Sequence, residues 1–486
     1  MRLPGGDLST QLADRLNALD FTVEGVQHLL GPVPAAALDR EEVVPASRVL
    51  ARERSPLATI VKLFLLGETV DAADAEEASG LSTGDLQDLV VTDGSQVRAL
   101  VEVAPYGTDQ NDWWVASDWS SRRTGRPTAA DHVLGVGGAS TMLAQCTVRP
   151  DVDRALDVGT GCGVQAFHLA GHARSVTATD ISDRCLQLAA FNASLNQISV
   201  DLRHGNLFEP VSGERFDLVV SNPPFVIGSP DTQRHDYRDS GLEGDAVCAA
   251  VVGGVADRLN EGGWCQLLAN WEITDGDDWA AHTRSWVAGT GLDAWVIQRD
   301  VQDPASYVET WLRDAGEQRS GVYRAAYDSW LSALEHRGVL GVGFGLITLR
   351  RGGRTTPHQH FQHAPQAWRQ PVAADVQRWF EANDAIAADP AGLLSRALRV
   401  APDVAIEQHG AVGDSEPMML LTRMSGMAWR APIDAFGMGV VGALDGQRPA
   451  AEAVLAMAAE YDIRPEDALA ASIPILRQMA LEGFVL

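Results

Sequence analysis

Asn222-Pro223-Pro224-Phe225 ends the apolar run Phe216-Asp217-Leu218-Val219-Val220, and its residue types suit the gripping of a flat amino or amide group. An NH₂ has two hydrogens. The Asn222 side-chain oxygen can accept one, and the Ser221 or Pro223 carbonyl the other. The two prolines remove backbone donors, and the first confines Asn222 to an extended conformation. Held so, the nitrogen lone pair turns out of conjugation toward an electrophile. Phe225 offers a stacking face. Attack makes the nitrogen acidic and its proton leaves afterwards, so the main contribution is positioning rather than a strong base. Taken alone, the tetrapeptide also reads as a tight turn.

Upstream, Asp157-Val158-Gly159-Thr160-Gly161-Cys162-Gly163 follows a short apolar strand and precedes a helical stretch. Glycines let the backbone turn tightly and approach a ligand where a Cβ would collide. The spacing lacks the G-x-x-G of a pyrophosphate-binding dehydrogenase loop. It suits S-adenosylmethionine, which has no pyrophosphate and carries a cationic amino group for Asp157 to face. Asp180 ends the next strand and is read as the ribose ligand, with helix capping as the alternative. Asn206, after the third strand, is placed at the adenine edge, though Gly205-Asn206 is also ordinary turn chemistry. Thr160, Gly163, Ile181, Leu207 and Asn222 complete the expected cofactor-binding set. Together the two motifs imply methyl transfer to nitrogen.

The elements that must position them follow from alternation. From about residue 131 to 351, short apolar strands alternate with helices, as in a parallel sheet covered on both faces. Strands are expected at 155–158, 175–179, 201–204, 218–221, 264–269, 293–298 and 343–350. The last two, joined by a long helical insert, are read as an antiparallel edge pair. Residues 354–371 read as a loop, whose His358, His360 and His363 form no convincing metal set. Before the sheet, Ser55-Pro56 starts an apolar helix over 57–66; helices at 71–80 and 82–89, a turn at 92–95 and a strand at 97–103 suggest a winged-helix-like module. Residues 120–127 are polar and arginine-rich, read as a linker before a nucleic-acid contact. After 433, two helices and a short tail suggest a second winged-helix-like unit. The expected divisions are 1–125 for recognition, 126–352 for catalysis, 353–432 as a connecting α+β segment and 433–486 as the C-terminal unit.

At 486 residues the chain is too long for one ordinary core. Its net charge of −27 opposes broad, nonspecific binding to phosphate backbones but leaves room for a local basic patch such as Arg122, Arg123 and Arg126. No apolar run is long enough to cross a bilayer, and the N-terminus lacks the core of a signal peptide. Five scattered cysteines fit a reducing cytoplasm. The arginine-for-lysine bias, with Lys62 the only lysine, fits a GC-rich bacterial genome.

On these residues the chain resembles class I S-adenosylmethionine-dependent methyltransferases of the Asn/Asp-Pro-Pro-Tyr/Phe branch, which includes HemK-type glutamine methyltransferases and ribosomal guanine methyltransferases. The resemblance covers about 131–351, and the flanks give it the look of an actinobacterial group with extra domains at both ends. It implies a seven-stranded Rossmann-like α/β sheet, mostly parallel with an antiparallel last strand. It also implies Gly159, Gly161, Asp180 and Asn206 at the cofactor and Asn222 to Phe225 at the acceptor. The segment 237–246 resembles the glycine-containing stretch that follows the motif in glutamine methyltransferases. The expected acceptor is a macromolecule, protein or RNA, with no metal and no membrane. A small-molecule acceptor and a non-catalytic cofactor-binding regulator are the alternatives.

Overall fold

A computed structural model of the protein describes residues 6–108, 111–126, 128–228, 243–314, 323–411 and 418–486. The chain divides into two compact units, one of Met1–Ala144 with Pro150–Ala364 and one of Gln145–Arg149 with Pro365–Leu486. Among the described residues, no helix is long and apolar enough to cross a membrane.

The first unit is built on a sheet whose strands, in chain order, are β1 Val152–Val158, β2 Ala173–Asp180, β3 Asp201–His204, β4 Phe216–Ser221, β5 Leu259–Ile273, β6 Asp293–Gln302, β7 Gly341–Arg350 and β8 Gln359–His363. Their spatial order is β8-β6-β7-β5-β4-β1-β2-β3. Pairing from β3 through β5 is parallel. β7 runs antiparallel to both of its neighbours, β5 and β6. All seven expected strands are present. The sheet has an eighth: β8 pairs parallel to β6, from Ala294↔Gln359 to Gln298↔His363. The 354–371 stretch therefore is not all loop, and the β6–β7 pair is not the edge. The sequence hides β8 because Phe361 is the one large apolar residue in Gln359-His360-Phe361-Gln362-His363, so the apolar pattern of a strand is missing.

Helices α1 Val164–Ala170, α2 Asp183–Leu195, α3 Ala246–Val255, α4 Ala281–Val287, α5 Pro304–Asp314 and α6 Tyr323–His336 belong to the same unit. Strand interiors such as Leu218-Val219-Val220 are fully buried, as a sheet covered on both faces requires.

The N-terminal part of this unit starts from helices. Ser55 caps Pro56–Ile60 by accepting from the Ala58 N–H, and the helix continues as a π-turn over Val61–Leu65. A small antiparallel sheet of Val70–Asp71, Gln96–Ala99 and Val90–Asp93 follows, with helix Ala72–Ser79 between its strands. That is the expected helix-and-hairpin module, with two differences. Residues 83–89 form turns instead of a helix. The single strand expected at 97–103 is broken, and its second half, Glu102–Gly107, pairs with Asp112–Ser117 in a separate hairpin.

Contacts cross the expected division at 125/126. Trp113 packs edge-on to Phe167 of α1, Tyr106 Oη meets His168 Nε2 at 2.9 Å, and Arg184 of α2 grips the Asp118 carboxylate through Nε and Nη2.

The second unit contains helix Ala373–Ala388, an antiparallel sheet of Val404–His409, Met418–Arg423 and Arg430–Ile433, and helices Ala435–Gly442, Ala450–Glu460 and Pro465–Leu481. Its buried Asp375 accepts from Arg378 Nη1 at 2.6 Å and from the Met427 N–H at 2.8 Å. Val485 bridges Val400, and Arg399 bridges Asp445. These two isolated bridges tie the segment after 433 to residues that precede it.

Candidate active site

Four strand ends meet along one edge of the large sheet. In the β1–β4 pair, Val158 stands opposite Ser221. Gly159 and Asn222 thus leave neighbouring strands, which run about 4.8 Å apart in any sheet. The Ser221 hydroxyl donates to the Val158 carbonyl at 2.8 Å and fixes that seam. On the other side, Val158 pairs with Thr179 and Asp180 with His204. Strand order reverses between β1 and β4, and the crevice at such a switch, outside the carboxyl ends, is where open α/β sheets bind ligands.

Gly159 and Gly161 adopt φ of 75° and 55°, which a side chain tolerates only with strain. Open space lies where a Cβ would project from either, so the loop presents bare backbone. Gly163 also has positive φ, and a Cβ there would meet the Phe167 ring at 3.2 Å. The Gly159 and Thr160 N–H groups both donate to the Thr179 carbonyl, at 2.9 and 3.0 Å.

Asp157 points inward. Its Oδ2 accepts from Thr160 Oγ1 at 2.6 Å and from the Ala166 N–H at 3.2 Å, tying the loop to the first turn of α1. Its Oδ1 is buried with no hydrogen-bond partner. Burial pushes this carboxyl up to about 7, against the pull of the Thr160 hydroxyl. Asp180 is also busy: Oδ2 accepts from the Gly161 N–H and Oδ1 from the Ser182 N–H, both at 2.9 Å. Burial raises its pKa while those N–H groups lower it. Each of its oxygens retains a lone pair for a ligand hydroxyl. The N-cap of α2 is Ser182, not Asp180.

Ile181 lies beside this loop with 61% of its surface exposed. Asn206 is exposed, and its carbonyl accepts from the Glu209 N–H. Leu207 has a φ of 45°, a conformation a bulky residue rarely adopts, and Thr179 Oγ1 donates to its carbonyl at 3.0 Å. Such outliers gather where a structure holds backbone for a ligand.

On the acceptor side, Asn222 is half-buried and its Oδ1 has no hydrogen-bond partner. An unpaired buried carbonyl costs about 1–3 kcal/mol, a cost relieved by an incoming N–H donor. Pro223 is buried, Pro224 half-buried, and Phe225 meets Trp311 of α5 edge-on with ring centroids 6.2 Å apart. Part of the Phe225 surface is thus spent on packing.

Three residues that sequence reasoning missed hold this corner from the far side. The Ile227 N–H donates to Tyr307 Oη at 2.8 Å, and Trp330 Nε1 donates to the Ile227 carbonyl at 2.8 Å. Asn270 Nδ2 also donates to Tyr307 Oη, at 3.2 Å. Burial raises the Tyr307 pKa, so the phenol stays neutral. Asn270 carried a readable signal, a polar residue late in the apolar run Leu267-Leu268-Ala269 of a central strand. Tyr307 and Trp330 showed only helical periodicity. A fourth residue was also missed: Asn192 of α2 exchanges hydrogen bonds with both backbone groups of Ala116 and donates to the Cys162 carbonyl at 2.9 Å. It ties the N-terminal hairpin to the glycine loop. Of the segment 237–246, residues 237–242 lie outside the described residues.

The family described as "Methyltransferase small domain" matches residues 135–272, and two families described as domains of unknown function match 18–100 and 375–486. A release factor glutamine methyltransferase of Xylella fastidiosa is 30% identical over 272 residues, 51% of this chain and 94% of that protein. Ribosomal RNA small subunit methyltransferase C of Klebsiella pneumoniae is 34% identical over 133 residues, 27% of this chain and 35% of that protein. A solved T. thermophilus 16S rRNA N2 G1207 methyltransferase, in complex with AdoMet and guanosine, aligns with 42% of this chain and 55% of that chain, at 19% identity and a TM-score of 0.27.

Proposed function

We infer the reaction from family membership: the chain belongs to the class I S-adenosylmethionine-dependent methyltransferases of the Asn/Asp-Pro-Pro-Tyr/Phe branch, and it methylates a planar amide or amino nitrogen of a macromolecule, a protein glutamine or an RNA base. The observation that carries this reading is the Val158–Ser221 seam, which sets the bare glycine loop beside the Asn222 corner.

The residues present fit the cofactor. The loop is open at Gly159 and Gly161, and the Asp157 Oδ1 lone pairs are unspent beside it. In this reading Gly159, Thr160, Gly161 and Gly163 give backbone contact, and Asp157 supplies negative charge for a cation. Asp180 takes the ribose hydroxyls, and Ile181, Asn206 and Leu207 border the adenine. When bound, S-adenosylmethionine supplies an electrophilic methyl group.

The acceptor chemistry is the chain's own. Asn222 Oδ1 accepts one hydrogen of the target nitrogen, and the Ser221 or Pro223 carbonyl accepts the other. With both hydrogens engaged, the lone pair is aimed across the seam, and the surplus proton leaves to water after the nitrogen gains its methyl. Tyr307 and Asn270 keep the corner in place through Ile227. Residues 1–125 and the C-terminal unit are proposed to select the acceptor. None of the five cysteines forms a disulfide.

The test is transfer of radiolabelled methyl groups into a bacterial lysate, followed by RNase or protease digestion. Label that one of the two treatments releases supports the reading. Label in neither polymer contradicts it.

A further inference from the structure

We propose that Arg98, Trp119, Arg123 and Arg126 form a binding site for a single-stranded segment of RNA, with a phosphate among the guanidinium groups and a base against the indole. These residues line a cavity of about 360 Å³ in the N-terminal part of the first unit, apart from the glycine loop and the Asn222 corner. That volume falls in the usual range for small-ligand pockets.

The cavity is built around an unmet need. The Arg123 side chain is 10% exposed. Its Nη2 donates to the Leu65 carbonyl at 2.7 Å and approaches Glu102 Oε1 at 3.4 Å, which leaves the guanidinium fixed in place. Its Nη1 is buried with no hydrogen-bond partner. A charged donor left without an acceptor is among the costlier arrangements in a protein, so an anion at this spot gains a bond already paid for in geometry. Arg98 and Arg126 are exposed on the same cavity, and neither makes an ion pair among the described residues. Three guanidinium groups line the cavity and, among the described residues, no carboxylate does, in a chain whose net charge is −27. Arg122, next in sequence, is engaged with Glu41 at 3.8 Å instead.

The second half of the site is aromatic. Trp119 Nε1 donates to the Ala99 carbonyl at 3.3 Å, and the far edge of its ring lies where a Cβ on Gly67 would come within 3.2 Å. The indole is therefore held by backbone on two sides and enters the cavity preorganised. A phosphate alone, or an acidic peptide, would use the arginines and leave the indole idle. A nucleotide uses both, since every base has a face to stack. The strongly negative chain disfavours a long phosphate track, which limits the contact to one or two nucleotides. An unpaired strand is required because a base locked in a duplex cannot present its amino group to the Asn222 corner.

This deepens the reading above by choosing RNA over protein as the acceptor, and rests on that reading only for the acceptor role; binding itself is measured without methyl transfer. The probe is a short fluorescein-labelled single-stranded RNA of mixed sequence, titrated with the full chain across a salt series. Arg98→Ala with Arg126→Ala should weaken binding by about fivefold or more, and should lower the log K against log salt slope by about 0.7 for the one lost phosphate contact. Affinity for S-adenosylmethionine should not change. Unchanged RNA affinity in the double variant overturns the site. So does the absence of RNA binding to the native chain at low salt, or equal competition by an acidic, glutamine-bearing peptide. If methyl label enters neither polymer while the arginine-dependent RNA binding stands, the transferase reading fails and this site survives.

Discussion

The two halves of the candidate site are held in opposite ways. On the cofactor side, the loop is braced from within: Thr179, Asp180 and Asp157 take its N–H and hydroxyl groups, all from the first two strands. On the acceptor side, Asn222 keeps an oxygen unpaired, and its neighbour Ile227 is clamped by Tyr307 and Trp330 from helices far along the chain. A half braced locally can be shared by many relatives. A half braced by a remote insert can be retuned for a new acceptor without disturbing cofactor binding.

That contrast is open to attack by variants. The largest effect on cofactor affinity is expected for Asp180→Ala, which removes the acceptor for two backbone N–H groups as well as the proposed ribose contact. At about 1.5–3 kcal/mol per bond to a charged group, S-adenosylmethionine affinity should fall about a hundredfold by calorimetry. Unchanged affinity would show that the loop does not depend on this carboxylate. Next is Tyr307→Phe, which leaves the Ile227 N–H and the Asn270 amide without their shared oxygen. Methyl transfer should slow about tenfold and the protein lose about 1–3 kcal/mol of stability, with cofactor affinity intact. Loss of cofactor affinity would mean that the two halves are not separable.

The smallest effect is one of pH. Burial holds the Asp157 carboxyl up to about 7, so a growing share is protonated as pH falls from 8 to 6. A cationic ligand favours the ionised form. Affinity for S-adenosylmethionine should therefore weaken on acidification by up to about tenfold per unit, with proton release on binding. A flat profile would detach Asp157 from the cofactor's charge.

The sheet was legible because its strands are apolar runs bounded by turns, and each of the seven shows in the fold. The glycine loop was legible because positive φ leaves a mark in composition. The roles around it were less so: Asp157 and Asp180 were expected to face a ligand, and both also brace the loop, since an aspartate letter does not say how many N–H groups surround it. β8 was hidden by its polar side chains. Residues 83–89 have helical spacing but coil into turns, and 97–103 splits because its two halves join different partners. Tyr307, Trp330 and Asn192 act across long sequence separations, and one sequence records no pairing at that distance. The contacts that cross 125/126 were hidden for the same reason, since Arg184 and Asn192 reach back over it.

The direct test of two adjoining but separable halves is Asn222→Ala, with S-adenosylmethionine affinity and labelled methyl transfer measured on the same preparation. Affinity should stay within about threefold of the native value, while transfer falls by at least about a hundredfold, the scale on which positioning contributes to rate. Transfer that persists, or affinity that falls in step with it, would contradict the assignment of Asn222 to the acceptor.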